Sequence, residues 1–250
     1  MQTPKKITPD SIVKAVVEIK YIAEVPFEIL LGILVSRLDQ SYTYTNRPIN
    51  NSPLGLDNYV NPADIIININ SRSLVYNNKI SIQFQPNSLI FSCIDKYIGG
   101  VDFLNEIKAA LSFLLKNGEV KKWTRIGLRY ISEYPNRDIR ECIKFNFTFG
   151  LPDVESVSTH FKSEFFYKGT KVILNLMNKM PALGTDSKEA TPHVVNTSII
   201  DIDVINDRLE IPGLQIEPLI NEISLVHDFE KEIFFGMLRE EFLNTLQPEY

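Results

Sequence analysis

The chain has 250 residues, 44% of them apolar, 23% charged and 10% aromatic, with a formal charge of −5. Such proportions belong to a folded globular protein and exclude collagen-like, disordered and disulfide-scaffold classes. The acidic balance argues against a protein that coats nucleic acid over its whole surface, and leaves room for a local basic patch.

No apolar run approaches the roughly 20 residues that span a bilayer, and no signal-peptide core follows Met1–Lys6. Cys93 and Cys142 sit in apolar runs without CxxC or metal-ligand spacing. Buried, reduced thiols in a cytoplasmic protein are the expectation.

In chain order, Ile12–Ala23 alternates as a strand, with Glu18 a charged residue inside a β-favouring run. Pro26 opens a helix that carries Phe27, Leu30, Leu31, Leu34, Val35 and Leu38 at helical spacing and ends near Gln40. Residues Tyr42 to Pro62 are polar, rich in Asn and Pro, and read as a short strand followed by a long loop. Strands are predicted at Ala63–Asn70, Ser73–Tyr76, Ile80–Gln85 and Leu89–Ile94, joined by hairpin-length turns and therefore antiparallel. Gly99-Gly100 precedes a helix over Val101–Lys116 that Gly118 stops.

Trp123–Glu133 is the stretch around which the chain is organised. Ile126, Leu128 and Tyr130 form a core face. Arg125, Gly127, Arg129 and Ile131 form the other, with the two arginines roughly 13 Å apart at about 3.3 Å per residue. A central strand puts valine where these arginines stand. Two readings follow: each arginine pairs with a carboxylate on a neighbouring strand, Glu18 being a natural candidate to face Arg125 or Arg129 and Glu18–Arg129 the pair chosen, and Gly127 leaves room for an aromatic; or the two line a pocket for a phosphate or carboxylate.

Tyr134-Pro135-Asn136 marks a boundary between an N-terminal half, 1–135, and a C-terminal half, 136–250. Beyond it, Cys142–Phe149 alternates as a strand. Phe161–Tyr167 and Lys171–Met177 form a hairpin around Lys168-Gly169. A polar loop runs from Asn178 to Pro192, Val194–Ile205 is a strand, and a long last helix covers about Leu219–Leu246. The predicted class is α+β, antiparallel sheets with three main helices; two degenerate repeats packed together is one reading of the two halves, though their residue identities match poorly.

The segment Arg125-Ile126-Gly127-Leu128-Arg129-Tyr130-Ile131, Glu18 in an early strand, and the terminal His227, Phe234-Phe235, Glu240-Glu241-Phe242 and Leu246 resemble a sporadically distributed prokaryotic protein family of about this length. This chain has Ser132 where that family commonly shows asparagine. The resemblance implies no particular activity. The family's patchy distribution resembles that of defence-associated or toxin–antitoxin genes, which implies a component of such a complex.

The chain holds no GxSxG elbow, P-loop, GxGxxG, HExxH or kinase set. His160, His193 and His227 are far apart in sequence. Asp201 and Asp203 share a strand face and could share a cation, but two acids are too few ligands. The one charge concentration is Lys116, Lys121, Lys122, Arg125 and Arg129, with Trp123 inside it. It could grip a nucleic-acid backbone and stack on a base; the alternative is a solvated helix end beside structural arginines. No catalytic residue, metal or cofactor is predicted. The leading expectation is a non-enzymatic protein-interaction subunit that uses the last helix and the Tyr42–Pro62 loop. Nucleic-acid binding through Lys121–Arg129 and a ligand pocket over Arg125 and Arg129 are the alternatives.

Overall fold

The computed structural model describes residues 3–37, 40–45, 73–115, 118–145, 158–184 and 193–250. The predicted strand at Ala63–Asn70 and most of the Tyr42–Pro62 loop lie outside them, as does Lys116.

Alternation of apolar and polar residues builds strands β1 (Ile12–Ala23), β2 (Thr43–Thr45), β3 (Ser73–Tyr76), β4 (Ile80–Gln85), β5 (Ser88–Cys93), β6 (Val120–Pro135), β7 (Thr159–Tyr167), β8 (Thr170–Gly184), β9 (His193–Asn206) and the short β10 (Ile211–Pro212). Helical spacing gives α1 (Phe27–Ser36), α2 (Gly100–Leu114), α3 (Ile139–Cys142), α4 (Ile216–Met237) and α5 (Glu240–Thr245). All the strands join one antiparallel sheet in the order β2-β3-β4-β5-β1-β6-β9-β8-β7, with β10 beside β6. The fold is α+β with three main helices. Among the described residues the strands form one sheet rather than several, and β6 is the seam: β1 flanks it from the N-terminal half and β9 from the C-terminal half.

The main core lies on one face of the sheet. Ala15, Val17 and Ile19 of β1, Ile126 and Leu128 of β6, and Ile202 and Val204 of β9 are buried there with Leu30 and Leu34 of α1, Phe103, Ile107 and Leu111 of α2, and Leu219, Ile223 and Val226 of α4. Each such side chain contributes about 1.5–3 kcal/mol by leaving water. Arg37, just past α1, fastens two helix ends: its guanidinium donates to the Leu114 carbonyl at the end of α2 and to buried Glu119.

Three elements depart from the sequence reading. The predicted strand at Cys142–Phe149 begins as the turn of helix α3, because Asp138 caps it by accepting the Arg140 N–H. Its residues 146–149 lie outside the described set. The last helix is broken at Leu238 and Arg239, both extended. There the backbone turns to a neighbour instead: Lys144 N–H donates to the Met237 carbonyl, Arg239 N–H to the Cys142 carbonyl, and the Arg239 side chain to the Ile143 carbonyl. The apolar stripe continues through Phe242 and Leu246 across the break, so periodicity alone does not reveal it. Strand β8 also extends to Gly184, past its predicted end, with a register shift between Met177 and Met180.

Candidate functional site

The chemistry concentrates on β6, whose two faces carry different polar clusters. On the face away from the core, the pairing register places Val16, Arg129, Asp203 and Ile173 in one row across four strands. Glu18, Gly127, Ile205 and Lys171 form the next row, and Ile131, Asp201 and Asn175 the row on the other side.

Glu18 stands opposite Gly127, one row away from each arginine. It pairs with Arg125, not with Arg129 as the sequence suggested. Gly127 explains the choice. A Cβ there would meet the Arg125 guanidinium at 3.3–3.6 Å, so the arginine lies folded over the glycine to reach the carboxylate beyond it. The space expected for an aromatic is filled by a guanidinium. Arg125 and Glu18 retain 22% and 25% of their side-chain exposure, so the pair is half-buried.

Arg129 turns to the other neighbour. Its Nε donates to Asp201 Oδ1 at 2.8 Å and its Nη2 to Oδ2 at 2.9 Å, a two-pronged fork. Asn175 of β8 adds a third donor to Asp201 Oδ2 at 3.0 Å. The pair is deeply set, with side-chain exposures of 14% and 3%. Asp203 is close by and half-buried; loss of hydration pushes its carboxyl up to about 6, against the opposing pull of Arg129 and Arg125. Asp201 is thus occupied by protein donors. Among the described residues no group of three or more His, Cys, Asp and Glu side chains is placed to hold a metal ion.

The predicted basic cluster is dispersed by a bulge. Lys20 pairs with Arg125, but the next β1 residue, Tyr21, pairs with Trp123, so Thr124 is extra. The bulge sends Trp123 to the core side. There it is fully buried, edge-on to Tyr21, and donates its indole N–H to the Gly213 carbonyl at 3.2 Å. It therefore has no free ring face for a base. Lys122 is engaged by Glu210 at 2.6 Å, and Lys121 is exposed.

On the core side, Tyr130 centres a second cluster that motif searching does not reveal. Its hydroxyl lies 3.2 Å from His227 Nδ1 of α4, and its ring packs edge-on against Tyr97 and His227. A Cβ at Gly100 would sit 2.6 Å from His227 Nε2, so α2 has to begin with a glycine to admit the imidazole. Burial, reinforced by Lys231, lowers the His227 pKa to about 4 and keeps the ring neutral. One turn along α4, Glu230 is buried and its carboxyl is pushed up to about 8 by loss of hydration. The one signal for it in the sequence is a glutamate inside an apolar helix stripe. A neutral imidazole sharing a hydrogen bond with a phenol, one helical turn from a buried glutamate, is a polar filling of the helix–sheet interface.

The two thiols are unpaired, Cys142 buried and Cys93 half-buried, and burial raises both to about 11. Among the described residues no helix is long and apolar enough to cross a membrane. Comparison with protein-family models and with curated proteins gave no match.

Proposed function

We propose that this protein works by binding another protein, as a non-enzymatic component of a prokaryotic complex of the defence or toxin–antitoxin kind. The observation that supports this reading best is the Arg129–Asp201 fork closed by Asn175. The strongest potential anion site on the central strand spends its donors on the chain's own carboxylate, as scaffold residues do. Arg125 with Glu18 and Tyr130 with His227 follow the same pattern. Leu225 on α4 is an exposed apolar side chain of the sort that seats a partner.

Nucleic-acid binding has less behind it, since Trp123 is buried and Lys122 is held by Glu210. Co-expression with the product of the adjacent gene, followed by affinity purification and size exclusion, tests the proposal. A stoichiometric complex is the expected result; a chain that never co-elutes with that product counts against it. Lys121→Glu/Lys122→Glu tests the alternative: salt-sensitive binding of single-stranded DNA or RNA that this change abolishes would replace the protein-binding reading.

A further inference from the structure

Among the described residues strand β7 ends the sheet and pairs with β8 alone. The connection to β8 is a two-residue turn, Lys168 at φ 48° and Gly169 at φ 84°, both left-handed as a type I′ hairpin requires. Such a turn closes on a hydrogen-bonded pair, here Tyr167 with Thr170. Backbone groups alternate in direction along a strand. Tyr167, Phe165, Ser163 and Phe161 therefore point theirs at β8, while Phe166, Glu164, Lys162 and His160 point theirs outward.

We propose that β7 pairs with β7 of a second copy, antiparallel and centred on Ser163. That register is the one in which the strand is complementary to itself. Lys162 falls opposite Glu164 of the other copy, and Glu164 opposite Lys162, giving two cross-strand charge pairs. His160 falls opposite Phe166, which is 69% exposed in the single chain. On the inner face, Phe161 falls opposite Phe165; both are partly buried against the core, and Phe161 already packs on Phe145 with ring centroids 4.6 Å apart. The hydrogen-bond phase agrees as well: 160 with 166 and 162 with 164 are pairs of outward-pointing residues, so they exchange about eight backbone hydrogen bonds across the two-fold. A shift of one residue would join outward groups to inward ones. A slip of two residues, which moves the centre to Lys162 or Glu164, keeps the phase but sets that residue against its own copy and loses the charge pairs. A lone lysine on an edge strand discourages pairing; here Lys162 has Glu164 two residues on, held within the chain by Lys171 at 2.6 Å, and among the self-pairings in phase the one centred on Ser163 sets each charge against its opposite.

The occupant is this same chain, so the inference stands apart from the proposed partner of another kind. Sedimentation and light scattering of the full chain at about 100 µM give twice the chain mass if it holds. Lys162→Glu and Glu164→Lys each place like charges across the two-fold and weaken the dimer about tenfold or more, while an equimolar mixture of the two restores it, because each then meets its opposite. Ser163→Cys, at the non-hydrogen-bonded centre where facing Cα atoms are about 4.5 Å apart, forms an intermolecular disulfide on oxidation that the unaltered chain does not. A monomer at that concentration, with no Ser163→Cys cross-link, overturns the inference. So does a dimer indifferent to both charge reversals. Neither result touches binding of the adjacent gene's product.

Discussion

A glycine decides which carboxylate Arg125 finds. Gly127→Ala puts a methyl 3.3 Å from the guanidinium, which has to give by a few tenths of an ångström against its hold on Glu18. The expected loss is about 1 kcal/mol, close to that for Glu18→Gln, because the pair is half-exposed and its value is screened by water. Denaturant unfolding of both variants, and of the double variant, measures it; additive losses would mean the arginine does not depend on the glycine. At Glu230 the pH sign is definite. The folded-state pKa of about 8 lies above the unfolded 4.5, so the folded chain keeps a proton that the unfolded chain gives up. Its stabilising share is whole below pH 4.5 and is lost as pH rises through 8. Glu230→Gln should therefore gain in Tm over the parent between pH 5 and pH 9, by several degrees at the upper end, since about 1 kcal/mol is worth roughly 2–4 °C in a chain of this size. A difference that stays flat across that range would place Glu230 in water.

At the scale of the element, strands declared themselves best where one face is apolar and the other polar. β1, β3 and β4 carry the bounds read from the sequence because Ala15, Val17 and Ile19 or Ile80, Ile82 and Phe84 alternate without interruption. The arginine face of β6 was legible for the same reason. The bulge at Thr124 was not, since an inserted residue leaves no mark on composition, and it alone separates Trp123 from Arg125. Nor was the break in the last helix, where backbone bonds to residues nearly a hundred positions away replace the helical ones. The partner of Arg129 escaped for a further reason: Asp201 was visible as an acid on a strand, but which acid faces which base is set by register, and register depends on strand order. Trp123→Ala should cost about 3–5 kcal/mol by emptying a fully buried site next to Tyr21. Loss of oligonucleotide binding with no loss of stability would mean instead that the indole is a contact residue.

For the molecule as a whole, the boundary read at Pro135 falls at the end of the seam strand. The ladder from Ile126–Asn206 to Pro135–Thr197 ties the two halves along one continuous pairing. Fragments 1–135 and 136–250 made separately should each unfold without cooperativity, because each would expose the edge of β6 or β9 and half the apolar face; mixing them should restore a cooperative transition. Circular dichroism during urea titration distinguishes this from two independent domains, each of which would melt sharply alone.

The claim beneath all of this is that the chain neutralises the guanidinium groups of β6 for its own stability. A double-mutant cycle on Arg129→Met and Asp201→Leu in urea unfolding tests it most directly. Each single change strands a buried charge and should cost about 3–5 kcal/mol, and the pair together should recover most of that loss. An Arg129→Met chain as stable as the parent would contradict the account and return the arginine to the role of ligand-binding group.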